Sequence, residues 1–462
     1  MPDQPIARRA AIIRDPVHGD IAVSPEELYV LDTPEMQRLR GIRQLGTAYL
    51  VFPGAQHSRF EHSLGTLHMV GRLVTAINRN RGLAPRERIG VAEEEARILR
   101  LAALVHDVTH IPFGHSIEDE SGLLARHDTA PRYRALLAGS TAVGASLDRL
   151  SVRREVLATL LPDGEPDLPT VPPYWREILS DTICADILDY LRRDAYFTGL
   201  NLYYDERVVD YFMVDRASGH LYVDLAKRGM LREDILSELV RVLEARYFFS
   251  ERVYYHHAKV AAGAMLARAV AVALVEGGLP PELLYACTDG SLLDLVAAHG
   301  PAGDGAAEHG ALIAGYRSRR LLKRACVFPR YANMAVQEDL VDRFFGLGGY
   351  DERRAFERTV ADGLRAEGMA DPPQVVLACP ARTMQLKEAH THVRHPAADG
   401  IRPLSGLGDA IPRLGDLERS YRDLWRLYAF AATDDARTLE RIGSVVTALL
   451  PGATNVYRPQ AG

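Results

Sequence analysis

Between Arg59 and His115 the chain carries five histidines beside acidic and arginine partners. The stretch opens on His57-Ser-Arg59-Phe-Glu-His62 and closes on His106-Asp107-Val-Thr-His110-Ile-Pro-Phe-Gly-His115. Adjacent His106 and Asp107 follow directly on the apolar run Leu101-Ala-Ala-Leu-Val. Burying an imidazole and a carboxylate there costs several kcal/mol unless something pairs with them, so the fold must supply a partner. A divalent metal ion is the partner that suits this donor pair best.

Helical periodicity places the donors. From Glu61 to Ile77, Leu64, Leu67, Val70, Leu73, Val74 and Ile77 recur at steps of three and four, which predicts a helix with one buried stripe. A second helix is predicted from about Glu93 to His110, stopping at Pro112 to Gly114, so that His106, Asp107 and His110 share one turn. A third, Asp181 to Tyr196, aligns Asp186, Asp189, Tyr190, Arg193 and Asp194 on one polar face and ends at Gly199. His62, His106, Asp107 and Asp186 then form a candidate mononuclear metal set. The alternative is a group of hydrogen-bonded core histidines. The His-Asp adjacency, with His110 close by, favours the metal.

The rest of the chain frames this core. Residues 11–23 predict two short strands about a turn, and residues 211–226 a β-hairpin around Ser218-Gly219. Residues 128–174 read as helices broken by loops. Helices are expected over 232–276 and 282–299, a Gly/Ala-rich loop over 300–310, a strand over 374–379, a loop at Pro380 and an amphipathic helix over 417–450. The expected architecture is mainly α: a helical core with a small β-hairpin over residues 1–310, then a mixed α+β lobe over 311–462 serving oligomerisation. The charge of −6 argues against a nucleic-acid or anionic-membrane binder. Of 55 cationic residues only four are lysine, and none precedes Lys227, so phosphate bound by the first half would rest on arginine, histidine, metal or backbone. Four scattered cysteines, no signal-like N-terminus and an apolar 258–275 segment interrupted by Lys259 and Arg268 fit a reduced, cytoplasmic protein without a membrane span.

The order H…HD…D, together with Arg14-Asp-Pro-Val-His-Gly19, Asp32-Thr-Pro-Glu-Met-Gln-Arg-Leu-Arg40, Gln44-Leu-Gly46 and Val51 to Gly65, resembles the HD-domain metal-dependent phosphohydrolases. Within them it is similar to the deoxynucleoside triphosphate triphosphohydrolases, over about residues 11–265. The resemblance implies hydrolysis of a dNTP to a deoxynucleoside and triphosphate. It assigns His62, His106, Asp107 and Asp186 to one divalent metal, whether manganese, iron, magnesium, nickel, cobalt or zinc, with a further magnesium accompanying the nucleotide. Arg59 and His110 would hold the α-phosphate, and His115 with Glu118 would move the proton to the leaving oxygen. Glu118 stands where the family commonly has Asp. His127 would contact phosphate, Gln44 and Asp194 the sugar, and Tyr190 the phosphate channel. Asp32, Gln37 and Arg40 match positions that bind an activating nucleotide at a subunit interface, implying a homo-oligomer, dimer or tetramer. As plain structure, Asp32 would be a helix cap and Arg40 a surface partner.

Two departures bear on the substrate. Ile187 replaces the basic residue expected after the last metal Asp, leaving Arg192, Arg193, Arg246 or Arg252 to grip the outer phosphates. His256 falls near the tyrosine that shields the sugar 2′ position in that branch, with Tyr254 and Tyr255 adjacent. Ile187 therefore keeps a nucleoside monophosphate or specialised-nucleotide phosphatase in view. A catalytically silent nucleotide sensor is a further alternative, against which the retained His115 argues.

Overall fold

Ser58 accepts a hydrogen bond from the Glu61 N–H and the Glu61 carboxylate accepts one from Ser58 N–H in return, a reciprocal cap that starts helix α1, Arg59–Leu83. The computed structural model describes residues 9–121, 123–303, 305–346, 348–379, 390–396, 399–407 and 411–459. Helix α1 carries the expected apolar stripe, but Ser63, Gly65 and Thr66 on its other side are buried as well. That side meets a later helix so closely that a Cβ at Gly65 would lie 1.8 Å from an Asp189 carboxylate oxygen. Only glycine permits that approach.

Helix α2, Glu93–Val105, stops short of the predicted His110. The N–H groups of Val108 and His110 bond three residues back, to Val105 and Asp107 at 3.1 Å, and Phe113 and Gly114 take positive φ of 61° and 38°. Pro112 cannot continue a helix. His106, Asp107 and His110 thus sit in a tight turn rather than on a helical face. Its carbonyls, freed by the helix end, are taken by Arg38, which donates to Val108 O at 2.8 Å and His110 O at 2.9 Å, by Arg132 at Thr109 O, and by Tyr133 at His106 O. Helix α3, His115–Ser121, follows, then short helices as expected, among them α4, Pro173–Leu179. Helix α5, Ala185–Thr198, ends at Gly199 with φ of 72°.

The strands at 11–23 form the expected antiparallel hairpin, β1 Ala11–Asp15 and β2 Gly19–Val23. Arg88–Ile89 (β3), Phe212–Asp215 (β4) and Leu221–Asp224 (β5) build an antiparallel ladder. Helix α6, Glu233–Phe249, passes into a π-helical turn at 250–254, and α7, His257–Val275, begins after it. The helices expected over 232–276 are thus two, joined by that turn, and His256 caps α7 by accepting from Ala258 N–H. Helix α7 is long and apolar enough to cross a membrane by length and composition, yet 78% of its most apolar window is buried inside the protein.

Beyond it the reading needs two corrections. Helix α8, Gly305–Arg317, occupies much of the presumed loop at 300–310; burial of His309, Leu312, Ile313 and Tyr316 stabilises it despite its glycines. The presumed helix over 417–450 is helix, strand and helix. Strand β6 is Lys323–Pro329, helix α9 Gly349–Ala366 and strand β7 Val375–Ala378, followed by β8 His392–Arg394, β9 Arg402–Pro403, helix α10 Pro412–Arg422, strand β10 Arg426–Ala431 and helix α11 Ala436–Ala448. β10 is the central strand of a β6-β10-β7 sheet, and five of its six residues are buried, so pairing on both edges overrides local helical pattern. Pro380 lies outside the described residues. The other sheet runs β9-β8-β5-β4-β3, with β8 parallel to β5, so the C-terminal region adds two strands to a sheet begun in the first half.

Candidate metal centre and its cavity

Helix α1, the turn after α2, and the first turn of α5 meet at the floor of a cavity of about 480 Å³. His62 Nε2 lies 3.0 Å from Asp186 Oδ1 and 3.2 Å from His106 Nε2. The other ring nitrogens are engaged: His62 Nδ1 meets Asp189 Oδ2 at 2.7 Å, and His106 Nδ1 meets Ala103 O at 2.7 Å. Both Nδ1 atoms donate to these acceptors, so both Nε2 lone pairs point at each other and at a carboxylate. Such an arrangement is repulsive unless either a proton on His62 or a metal cation lies among them. Bonds of ~2.1 Å to one ion would separate adjacent donors by roughly 3.0–3.4 Å. His62, His106 and Asp186 have ligating atoms that all fall within 4.8 Å of one another, so the donor set fits a divalent ion.

Asp107 stands beside this trio, with Oδ2 3.8 Å from His62 Nε2 and Oδ1 3.5 Å from His106 Nε2. Its Oδ2 also accepts from Arg59 Nη1 at 2.7 Å. Burial opposes ionisation of Asp107, but Arg59, His106 and His110 outweigh it and hold the carboxyl well below its usual range. Burial likewise opposes charging of His62, yet hydrogen bonds to Asp186 and Asp189 push it up to about 10. The pocket's negative field calls for a cation.

A second face holds three imidazoles. His110 and His127 stack at 3.6 Å between ring centroids, and His115 meets both edge-on, at 5.4 and 4.9 Å. Glu118, buried, accepts from His127 Nδ1 at 2.9 Å. Burial and the Arg59 charge hold His110 well below its ordinary value, so it is neutral at neutral pH. Burial lowers His127 too, against its bond to Glu118, and that bond in turn lowers Glu118 despite burial. Gly114 allows this packing: a Cβ there would lie 3.0 Å from Arg59 Nη2 and 3.1 Å from His110 Nδ1.

The far wall carries Gln44, Tyr190 and Asp194. Asp194 accepts from Tyr254 OH at 2.7 Å and pairs with His57 Nε2 at 2.9 Å, while Gln44 Oε1 is buried without a hydrogen-bond partner among the described residues. Tyr254 lines the cavity, whereas His256 does not; the break before α7 turns His256 toward Phe52 and His257. Ile187 also lines the wall. Of the arginines weighed against it, Arg192 is paired with Glu206, Arg193 is buried between Asp189 and Asp15, and Arg252 lies near Glu251. Arg246 does line the cavity, and its Nη1 is buried with no hydrogen-bond partner among the described residues. Asp32, Gln37 and Arg40 lie outside it: Asp32 closes the helix Pro25–Leu31, and Arg40 donates to Gln37 Oε1 at 2.8 Å. Sequence reasoning assigned no role to Asp189, which orients His62, or to Arg38, which braces the turn. Asp189 was visible on the polar face of α5 and Arg38 inside the 32–40 motif.

The helical scaffold brings these donors, which could hold a metal ion, from three elements to one point. Residues 59–194 match the HD domain family and residues 230–450 the HD associated region. The chain is thus an HD-domain protein with the associated region attached. It is 30% identical over 270 residues to the uncharacterized protein MJ1154 of Methanocaldococcus jannaschii, covering 58% of this chain and 51% of that one. It is 35% identical to the uncharacterized protein YwfO of Bacillus subtilis, covering 41% of each. With the deoxynucleoside triphosphate triphosphohydrolase SAMHD1 of Homo sapiens it shares 42% identity over 115 residues, 25% of this chain and 18% of that protein. The matched segments therefore span about half or less of these relatives.

Proposed function

We propose that the protein is a metal-dependent nucleotide phosphohydrolase that converts a dNTP to a deoxynucleoside and triphosphate. The observation that carries this reading is that one cavity is lined by His62 and Asp186, with His106 beside His62, by His110, His115 and His127, with Glu118 bonded to His127, and by Arg246. His62, His106, Asp107 and Asp186 would hold one divalent ion, which when bound polarises a phosphoryl oxygen and lowers the pKa of its water. Arg59 sits against Asp107 and can offset charge on the α-phosphate oxygens. Neutral His110 can donate a hydrogen bond there. His115, on the exposed rim, is placed to protonate the departing 5′ oxygen, with Glu118 and His127 behind it. Gln44 and the Asp194–Tyr254 pair offer polar contacts for a sugar, and Tyr254 in place of His256 is the side chain that would crowd a 2′-hydroxyl. Arg246 supplies the charge that Ile187 withholds from the outer phosphates.

Ile187 favours a second reading, a phosphatase acting on nucleoside monophosphates. Individual dNTPs, NTPs and NMPs incubated with manganese or magnesium separate the two. Release of inorganic triphosphate is the expected result; orthophosphate from monophosphates alone would replace the first reading with the second. Saturable nucleotide binding without turnover would instead make the protein a sensor. An activating nucleotide at Gln37 and Arg40 within a homo-oligomer belongs to the same proposal, and nucleotide-dependent change in sedimentation tests it.

A further inference from the structure

Far from the cavity, Glu177 of α4, His220 at the start of β5 and His392 at the start of β8 converge, their ligating atoms within 4.8 Å of one another. None of the three lines the central cavity. His220 Nδ1 lies 2.5 Å from Glu177 Oε1, and His392 Nδ1 lies 3.7 Å from the same oxygen. The two rings stack with centroids 4.3 Å apart. Glu177 is held in place by its other oxygen, which accepts from Leu221 N–H at 2.7 Å. Among the described residues His392 Nδ1 is buried with no hydrogen-bond partner, although an acceptor and a second imidazole face it. A buried polar atom left unpaired beside two good ligands is the mark of a missing bond.

We propose that Glu177, His220 and His392 form a second divalent-metal site, of the zinc class, separate from the HD centre. Two imidazoles and one carboxylate are a donor set that suits borderline divalent ions, with water in the fourth position. Ion–donor distances of ~2.0–2.2 Å would put donors roughly 3.3 Å apart, between the two separations observed, so small rotamer changes close the shell. The site joins helix α4, strand β5 and strand β8 where β8 lies parallel to β5. A metal there ties the 390–394 segment to the HD half of the molecule. Its role is structural, a clip closing a long loop.

The test is metal stoichiometry in the full chain, stripped with chelator and dialysed against zinc. Wild type should retain about two equivalents, Asp186→Ala about one, and His220→Ala/His392→Ala about one. Zinc should raise the melting temperature of Asp186→Ala by several degrees and leave that of the double variant nearly unmoved beyond the effect of the HD centre. X-ray absorption of zinc-loaded Asp186→Ala should show two imidazoles and no sulfur. Retention of no metal by Asp186→Ala would overturn the proposal, as would undiminished metal in the folded double variant. Should the double variant fail to fold, Asp186→Ala, whose cluster is intact, decides alone. Nucleotide hydrolysis by the double variant is read separately, so failure of this site and failure of the proposed activity remain distinguishable.

Discussion

Two buried arginine–carboxylate pairs, one at the HD centre and one in the C-terminal region, are chemically alike and differently finished. Arg268 of α7 grips Glu357 of α9 through two bonds, at 2.5 and 2.6 Å, and the same carboxylate accepts Leu377 N–H of β7 at 2.9 Å. That pair has the fork geometry and extra donor that repay the desolvation of both charges. Among the described residues Arg59 meets Asp107 through a single bond at 2.7 Å, its Nε is buried without a partner, and Asp107 Oδ1 faces imidazoles at 3.4 and 3.5 Å. One pair is saturated by the fold. The other keeps capacity for something the chain does not contain, which is how a structural pair and a functional one can be told apart when the residues are the same.

The largest effect should follow from breaking the unfinished pair. Asp107→Ala is expected to abolish metal retention at the HD centre and lower turnover by ~10³-fold or more. Metal analysis of the Glu177 cluster-deficient background isolates that centre, and full occupancy in the variant would sink the ligand assignment. Glu357→Ala should instead cost about 3–5 kcal/mol of stability by stranding a buried guanidinium. Chemical denaturation measures this, while metal content at the HD centre and turnover below the melting range should stay at wild-type values. A matched loss of metal would show that the two pairs are not separable. Replacing Arg268 and Glu357 together by methionines sharpens the contrast, since the paired apolar swap should be far milder than the single one.

How much of this contrast was legible beforehand depends on what carried the information. The HD donors were legible because His62, His106, Asp107 and Asp186 are chemically improbable among apolar neighbours, and Gly199 and Ser58 punctuate the helices that bear them. Residues 106–110 were misread as helix because apolar periodicity continues through Val108, fully buried, while backbone hydrogen bonds have already changed. Strand β10 was hidden for a related reason: six residues of a strand buried on both edges have no period of their own to show. Tyr254 was displaced in the reading because a π-helical turn adds a residue that sequence spacing does not announce. For Arg38 and Asp189 the sequence shows a motif and a polar helix face, but not the distant groups each of them holds.

Glu118→Gln probes the cavity face where proton transfer is proposed. Its carboxylate, held below the usual range by the His127 bond in spite of burial, is ionised throughout neutral pH. The amide keeps the shape and loses the charge that positions His127. A fall of roughly 10²-fold in turnover is expected with metal content and melting temperature unchanged. Equal loss of metal would mean that Glu118 supports the centre rather than the proton path.

The smallest effect should come from a carboxylate that belongs to neither kind of pair. Asp181 is buried and, among the described residues, accepts from Thr182 N–H at 2.6 Å and the Thr391 hydroxyl at 3.0 Å. Burial lifts its pKa from 3.8 to about 6, those hydrogen bonds opposing and the nearby Glu177 charge assisting. Because the folded value exceeds the unfolded one, the native state binds the proton more tightly. The stability this contributes is fully present below the unfolded value and is lost as pH rises through about 6. Asp181→Asn removes the titration. At pH ~8 the variant should be more stable than wild type by about 1–2 kcal/mol, less than the full linkage value because the amide replaces one acceptor with a donor facing Thr391. The advantage should shrink steadily as the pH falls from ~6 to ~4, when wild type regains its proton. Denaturation across that range, in chelator to keep the Glu177 cluster empty, measures it. A difference between the two proteins that does not vary with pH would mean that Asp181 is stabilised by a cation after all, and the division between finished and unfinished carboxylates would have to be redrawn.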